Sequence, residues 1–187
     1  MDQRGLVERA MRGDQDAFAA LVDGSIGRLD MAARLVLRDR ELARDAVQEA
    51  LIRAWRDLPG LREPERFDAW LHRLTVNACL DLVRRRRRRP IEVEILPIHT
   101  TSDDLPGELA RRDLLDRALA RLDAGHRAVV ALHHLLGMPL AEVAVALRIP
   151  LGTVKSRNYY ALAAMRATVL GEPVRDAHQP VPGGQPA

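Results

Sequence analysis

The chain has 187 residues, 47% hydrophobic but only 3% aromatic, with a formal net charge of +3 and a pI of about 9.7. Aliphatic-rich and aromatic-poor, it favours packed helices over a sandwich or barrel, and its length suits one medium domain or two small ones. A lone cysteine, Cys79, excludes an intramolecular disulfide and a cysteine-based metal site. No apolar run approaches the ~20 residues needed to span a bilayer and no apolar leader follows Met1, so the reading is of a soluble cytoplasmic protein without membrane insertion.

Residues 1–89 read as a block of four helices. A short one covers Gln3 to Met11. Asp14 can cap a second, whose stripe runs Phe18, Leu21, Val22, Ile26, Leu29, Ala33 and Val36, although Gly24 and Gly27 each weaken it by up to ~1 kcal/mol. Asp39 can cap a third, through about Asp57, with Leu42, Val47, Leu51, Ala54 and Trp55 inward. Its polar side carries Asp45, Gln48, Glu49 and Arg53 at spacings that share one face, which composition alone reads as a solvated acidic surface. PGLREP breaks the chain, and a fourth helix runs from about Glu65, burying Phe67 or Trp70, Leu71, Leu74, Ala78 and Leu82. It ends in six consecutive arginines, Arg84 to Arg89. Like charge around a helix is destabilising unless a polyanion neutralises it: nucleic-acid phosphate, anionic lipid or an acidic protein patch.

Residues 90–106, with Pro90, Pro97 and Pro106, lack helical periodicity and read as an extended linker. Pro90 to Glu108, 19 residues counted inclusively, could reach roughly 60 Å at ~3.3 Å each, nearly two turns of DNA. Residues 107–170 form a second helical block, and 171–187, rich in Pro and Gly, read as a disordered tail. Within the second block, GMPLAEVAVALRIPLGTVKSRNYYALAAMR has the form of a helix-turn-helix. Leu140, Val143, Ala144 and Leu147 make the stripe of a short helix from Pro139; the turn RIPLG must stop it; a second helix then runs to Val169. Val154, Ala161, Leu162, Met165 and Val169 are its inward stripe, leaving Lys155, Ser156, Tyr159, Tyr160 and Ala163 outward, where a recognition helix meets the major groove. His126, His133 and His134 lie among Val and Leu without a carboxylate or cysteine at ligand spacing, so they read as core or surface histidines. No phosphate-cradling glycine loop or nucleophile motif is present, so neither catalytic residue nor cofactor is expected.

DAVQEALIRAW, then RFDAWLHRLTVNACLDLVRRRRR, then a linker, then LDRALARLDAGHRAVVALHHLLGMPLAEVAVALRIPLGTVKSR together resemble the extracytoplasmic-function (ECF) sigma factors of the sigma-70 superfamily. The resemblance spans about residues 5–169. It implies an all-α chain of two helical domains, sigma domain 2 and a helix-turn-helix sigma domain 4, joined by an extended linker. It assigns Asp45, Gln48, Glu49 and Arg53 to docking on core RNA polymerase at the β′ clamp, with domain 4 on the β flap. A basic clamp helix would complement that acidic-amide face.

For the −10 element the resemblance points to the loop and helix start from Leu58 to Trp70, with Phe67, Trp70 and Asn77 reading the strand and Arg84 and Arg85 on phosphate. An amide tying two helices is the plain structural alternative for Asn77. For the −35 element it points to Thr153, Lys155, Ser156, Tyr159 and Tyr160, with Arg148 and Arg157 placed for phosphate. The family usually has an apolar residue after GTVKSR, then often His or Phe, then Arg; this chain has Asn158, Tyr159 and Tyr160. Tyr160 thereby loses a charge and a bidentate guanine contact, leaving the −35 sequence open. Asn158 falls on the inward stripe and must be half-buried and bonded, or the helix is rotated. In the family the linker threads the RNA-exit region, which Glu92, Glu94, Asp103 and Asp104 would suit. Promoter DNA and, for many members, an anti-sigma factor are the further partners implied. The competing reading is a stand-alone helix-turn-helix regulator, which would bind duplex DNA without polymerase.

Overall fold

The computed structural model describes residues 2–88 and 106–172, with 106–109 and 112 described by backbone alone. The predicted linker (90–106) and tail (171–187) therefore lie outside the described residues, apart from Pro106 and the pair Gly171 and Glu172. All regular structure among the described residues is helical: α1 Gln3–Met11, α2 Gln15–Asp23, α3 Ile26–Leu37, α4 Arg40–Asp57, α5 Phe67–Arg88, α6 Pro106–Ala120, α7 Ala124–Val130, α8 Leu140–Leu147 and α9 Leu151–Leu170. Two 3-10 turns, Leu58–Gly60 and Pro64–Arg66, bridge α4 to α5. A π-helical turn, Ala131–Leu135, prolongs α7.

Aspartates start four of these helices. Asp2, Asp14 and Asp39 accept from Arg4, Ala17, and Glu41 with Leu42, respectively, at 3.0–3.2 Å; Asp123 accepts from the His126 amide at 2.8 Å. Each satisfies backbone donors that the first turn leaves unpaired. Asp39 serves two amides at once, so Asp39→Ala is expected to cost about 1 kcal/mol, read as a lower denaturant midpoint at unchanged slope; an unchanged midpoint would refute the cap's contribution.

The N-terminal block contains one helix more than predicted. The stripe from Phe18 to Val36 is cut at Gly24–Ser25, where the Ser25 amide bonds the Val22 carbonyl at 2.9 Å. Ser25 is buried, its hydroxyl 3.5 Å from an Asp68 carboxylate oxygen. A glycine that favours leaving the helix, followed by a serine with a tertiary partner, outweighs the continuous apolar pattern. Ile26, assigned inward, starts α3 with 38% of its surface exposed.

Phe67, Leu29, Leu58, Leu71, Val36 and Val76 are fully buried in the first half, and Leu132, Val129, Val143 and Val154 in the second. At ~1.5–3 kcal/mol per large apolar side chain, this burial is the main term holding the helices together. The core does not stop at the boundary between the halves. One cluster includes residues of both, because α3 and α5 pack against α7, the π-helical turn and α8. Two polar ties cross the seam. Asn77 Nδ2 donates to the Ala146 carbonyl at 3.2 Å. Arg127 Nε donates to the Val36 carbonyl at 2.8 Å, and its Nη1 donates to the Leu122 carbonyl. A guanidinium held partly out of water is costly unless bonded, and Arg127 is half-buried. Burial, and then the neighbouring Arg38 cation, lower the Arg127 pKa to about 10, so it remains charged at neutral pH.

Candidate nucleic-acid interface

The turn between α8 and α9 sets the helix-turn-helix. Arg148 closes α8 in the left-handed region (φ 55°), and Pro150 follows before α9 starts at Leu151. The left-handed conformation is uphill for a residue with a Cβ, and two α8 carbonyls, of Ala144 and Val145, meet the Arg148 amide as compensation. Gly137 (φ 72°) makes the preceding turn, where no side chain is needed.

α9 packs on α6, α7 and α8. Val154, Ala161 and Ala164 are its buried side chains. Leu162 and Val169, predicted inward, are 41% and 57% exposed; small alanines face the neighbouring helices there, and the longer side chains fall beside the contact. Asn158 is half-buried, and its Oδ1 lies 2.8 Å from His134 Nε2, which resolves its position on the stripe without rotating the helix. The other two histidines are also bonded, His133 to the Met138 carbonyl and His126 to Asp123.

The outward face divides. Lys155, Ser156 and Arg148 are exposed, and Tyr159 is 68% exposed. Thr153 and Tyr160 are half-buried, the Tyr160 ring standing edge-on to Tyr159 with centroids 5.6 Å apart. Arg157, predicted to meet phosphate, is half-buried, with Nη1 3.1 Å from where a Cβ on Gly125 would sit, so its guanidinium lies beside the start of α7.

Asp123 holds that junction. Its side-chain bond with His126, then backbone donation from His126 and Gly125, keep its carboxyl well below the usual carboxylate range despite partial burial. A folded-state pKa below the unfolded one stabilises the native state above the unfolded value, near 3.8, and that contribution fades as pH falls toward the depressed folded value. Asp123→Asn keeps an acceptor for the cap but not the charge. It is expected to lower stability modestly at pH 7, because the side chain is 48% exposed and screened by water, with the gap to the parent narrowing below the unfolded value near 3.8 and closing only as pH falls through the depressed folded value. Equal midpoints in urea at pH 7 would refute this.

On the other half, Asp45, Gln48 and Glu49 project from α4 and are exposed. Arg53, grouped with them by spacing, is 24% exposed and spoken for: Nε bonds Glu49 at 2.8 Å and Nη1 bonds Asp81 of α5 at 3.3 Å. Those bonds, Glu49 first, raise its pKa. It braces α4 on α5 and steadies Glu49, rather than offering a free cation. Next to this face lies a groove of about 760 Å³, floored by Phe18, Val47, Leu51 and Trp55 and flanked by Ile26 and Ile52. Ile52 is 56% exposed, and Phe18 and Trp55 rings pack at 5.1 Å. Sequence reasoning missed this groove.

Phe67 also corrects its predicted role: it is fully buried, 6.0 Å from the Trp70 ring, so it supports the loop from below and reaches no strand. Trp70 and Asn77 are half-buried, and Arg84 and Arg85 are exposed, Arg84 bonded to Asp81 at 3.0 Å. Arg86 lies 3.7 Å from Asp39, so part of the arginine run is balanced within the fold. A cleft of about 560 Å³ separates Leu61, Trp70 and Arg73 from Met138, Glu142 and Val145 of the helix-turn-helix half.

Comparisons with known proteins match both halves. The family model for sigma-70 region 2 matches residues 27–89, and that for sigma-70 region 4 matches 112–165. The chain is 34% identical to the ECF RNA polymerase sigma factor SigM of Mycobacterium tuberculosis, over 89% of this chain and 83% of that protein. It is 31% identical to the ECF RNA polymerase sigma-E factor of Escherichia coli, over 86% and 90%. Among solved structures, CnrH in complex with the cytosolic domain of CnrY superposes at a TM-score of 0.66 with 31% identity, over 91% of this chain and 99% of that one. The sigma factor RpoE of Bartonella quintana, in complex with the anti-sigma factor NepR, superposes at 0.69 with 23% identity, over 82% and 96%, a likeness of fold.

Proposed function

Because the chain belongs to the ECF sigma factors of the sigma-70 family, we propose that it binds core RNA polymerase in the cytoplasm and directs it to promoters carrying −10 and −35 elements. The observation that carries this is the pairing, in one chain, of an exposed acidic-amide face on α4 with an exposed polar face on the recognition helix α9. Asp45, Gln48 and Glu49, braced by Arg53, are the docking face for the β′ clamp, and the second half meets the β flap. Trp70 and Asn77 read the −10 strand, with Arg84 and Arg85 on its phosphates. Lys155, Ser156 and Tyr159 read the −35 duplex, flanked by Thr153 and Tyr160 and with Arg148 on phosphate. The domain limits that go with these roles are 1–89 and 107–170. The chain's own work is binding: capturing extruded bases pulls the strands apart, and nucleotide addition belongs to the polymerase. The anti-sigma factors bound to structural relatives make such a partner the natural counterpart here.

Run-off transcription on sheared bacterial DNA, with core polymerase and with or without the protein, tests the reading. Discrete transcripts that require the protein are expected, and their upstream sequences supply both elements. No new transcripts, together with no co-elution with core on gel filtration, would overturn it in favour of a stand-alone regulator binding duplex DNA alone.

A further inference from the structure

We infer that His134 is a positioning residue for −35 recognition: its bond to Asn158 on the inward side of α9 sets the rotation of that helix, and so which bases Lys155, Ser156 and Tyr159 can reach. The reading face rests on the function proposed above; the bond does not. Asn158 stands four residues after Val154 and three before Ala161, both fully buried. An amide on that stripe gives up the burial that an aliphatic side chain would bring, and it is costly there without a partner. His134 is that partner, with Nε2 2.8 Å from Asn158 Oδ1. A carboxamide oxygen only accepts, so Nε2 carries the hydrogen. His134 is exposed, and a bond at the water's edge adds little net stability. What it adds is direction, because apolar packing tolerates a small slide and a hydrogen bond of this length does not.

The imidazole is itself held in place. The Leu136 amide bonds the Ala131 carbonyl, five residues back, at 2.9 Å, which makes the π-helical turn that carries both histidines. His133 Nδ1 lies 2.8 Å from the Met138 carbonyl, and the two imidazole rings meet edge-on with centroids 4.6 Å apart. This anchor of α9 runs from the turn before α8, through His133 and His134, to Asn158, without passing through α8. Tyr159 follows Asn158 directly, and Tyr160 props its ring from the other side at 5.6 Å. Side chains stand roughly 5–6 Å from a helix axis, so a rotation of about 20° displaces them by about 2 Å. Hydrogen bonds to base edges do not survive that shift, whereas long basic side chains still find phosphate. His134 needs no contact with DNA to change the sequence that is read.

The test uses holoenzyme formed from core polymerase and the full chain, on a promoter recovered by the run-off assay and randomised through its −35 element, with transcripts of each sequence counted. His134→Ala is expected to lower discrimination about tenfold at the base pairs read by Lys155 and Tyr159, with transcription from the poorest sequences within about twofold of the parent. Asn158→Leu restores an apolar stripe, so it is expected to match or exceed the parent's thermal midpoint while reading an altered sequence. A purely structural bond predicts the reverse: Asn158→Leu would keep the parent's preference, and His134→Ala would lose activity equally on every sequence. Either result would overturn the inference. His134→Gln, which keeps a donor for Asn158, is expected to recover the parent's preference. Residual dipolar couplings of the α9 amides, referred to those of α7, read the orientation of the helix without DNA. A reorientation is expected in His134→Ala and not in His134→Gln; couplings in His134→Ala that superpose on the parent's would also overturn the inference. A parent that yields no transcripts with core would count against the function proposed above, and the couplings would still test the positioning.

Discussion

Asp45→Lys combined with Glu49→Lys is expected to weaken binding to core polymerase on the order of 100-fold, about 2–3 kcal/mol, without disturbing the helical fold. Both carboxylates are exposed on α4, so reversal costs little in folding. Its one internal consequence is to strip Arg53 of Glu49, and Asp81 at 3.3 Å still holds that guanidinium. The double variant thus presents two new cations, where a basic clamp surface would arrive. Like charges brought together act mainly on the association rate, so the loss should shrink as salt rises. The groove beside this face should behave differently. Ile52→Glu puts a charge on an apolar wall whose desolvation depends on close contact, and its effect should appear in the dissociation rate and persist in salt. Stopped-flow anisotropy with labelled protein and core separates the two. Unchanged core affinity in the double lysine variant, with native circular dichroism, would remove the docking role from α4.

The parts legible in sequence were those signalled locally. Aspartates preceding apolar periodicity marked the starts of α2 and α4, and Pro139 and Pro150 bracketed α8. The break at Gly24–Ser25 was hidden because the stripe on either side keeps helical phase; what ends α2 there includes a bond to Asp68, 43 residues away. Phe67 and Trp70 sit one turn apart with similar chemistry, and only packing decides which is buried. The groove could not be read because Phe18, Ile26 and Ile52 come from three helices, and their shared face exists only after α2, α3 and α4 associate. The seam was least legible of all. Asn77 meets Ala146 over 69 residues and Arg127 meets Val36 over 91, and neither a lone amide nor a lone arginine carries a periodic signature. A proline-rich linker suggested two separate modules for the same reason: its composition speaks of reach, not of what the ends do when they meet.

Tyr159→Ala and Lys155→Ala are expected to damage −35 recognition in different ways. Lys155 is the only lysine in the chain, exposed in the second turn of α9. If it meets phosphate, its loss weakens binding uniformly across sequences and reduces the slope of log affinity against log salt by about 0.9. If it reads a guanine edge, the cost of about 1–3 kcal/mol falls on one base pair and vanishes when that pair is changed. Tyr159 is 68% exposed, propped edge-on by the half-buried Tyr160, and brings no cation to phosphate, so its removal should leave the salt slope alone. Its ring suits apolar contact with a thymine methyl, and Tyr159→Phe should then keep most of the affinity that Tyr159→Ala loses. The family's usual arginine after this position is replaced here by Tyr160, so the preference should be set by fewer ionic contacts and more by fit. Titrating both variants against the −35 duplex and its single-base substitutions, at several salt concentrations, separates these cases. Equal losses on every duplex with an unchanged salt slope, from both substitutions, would place neither residue on the DNA and would move the reading face elsewhere on α9.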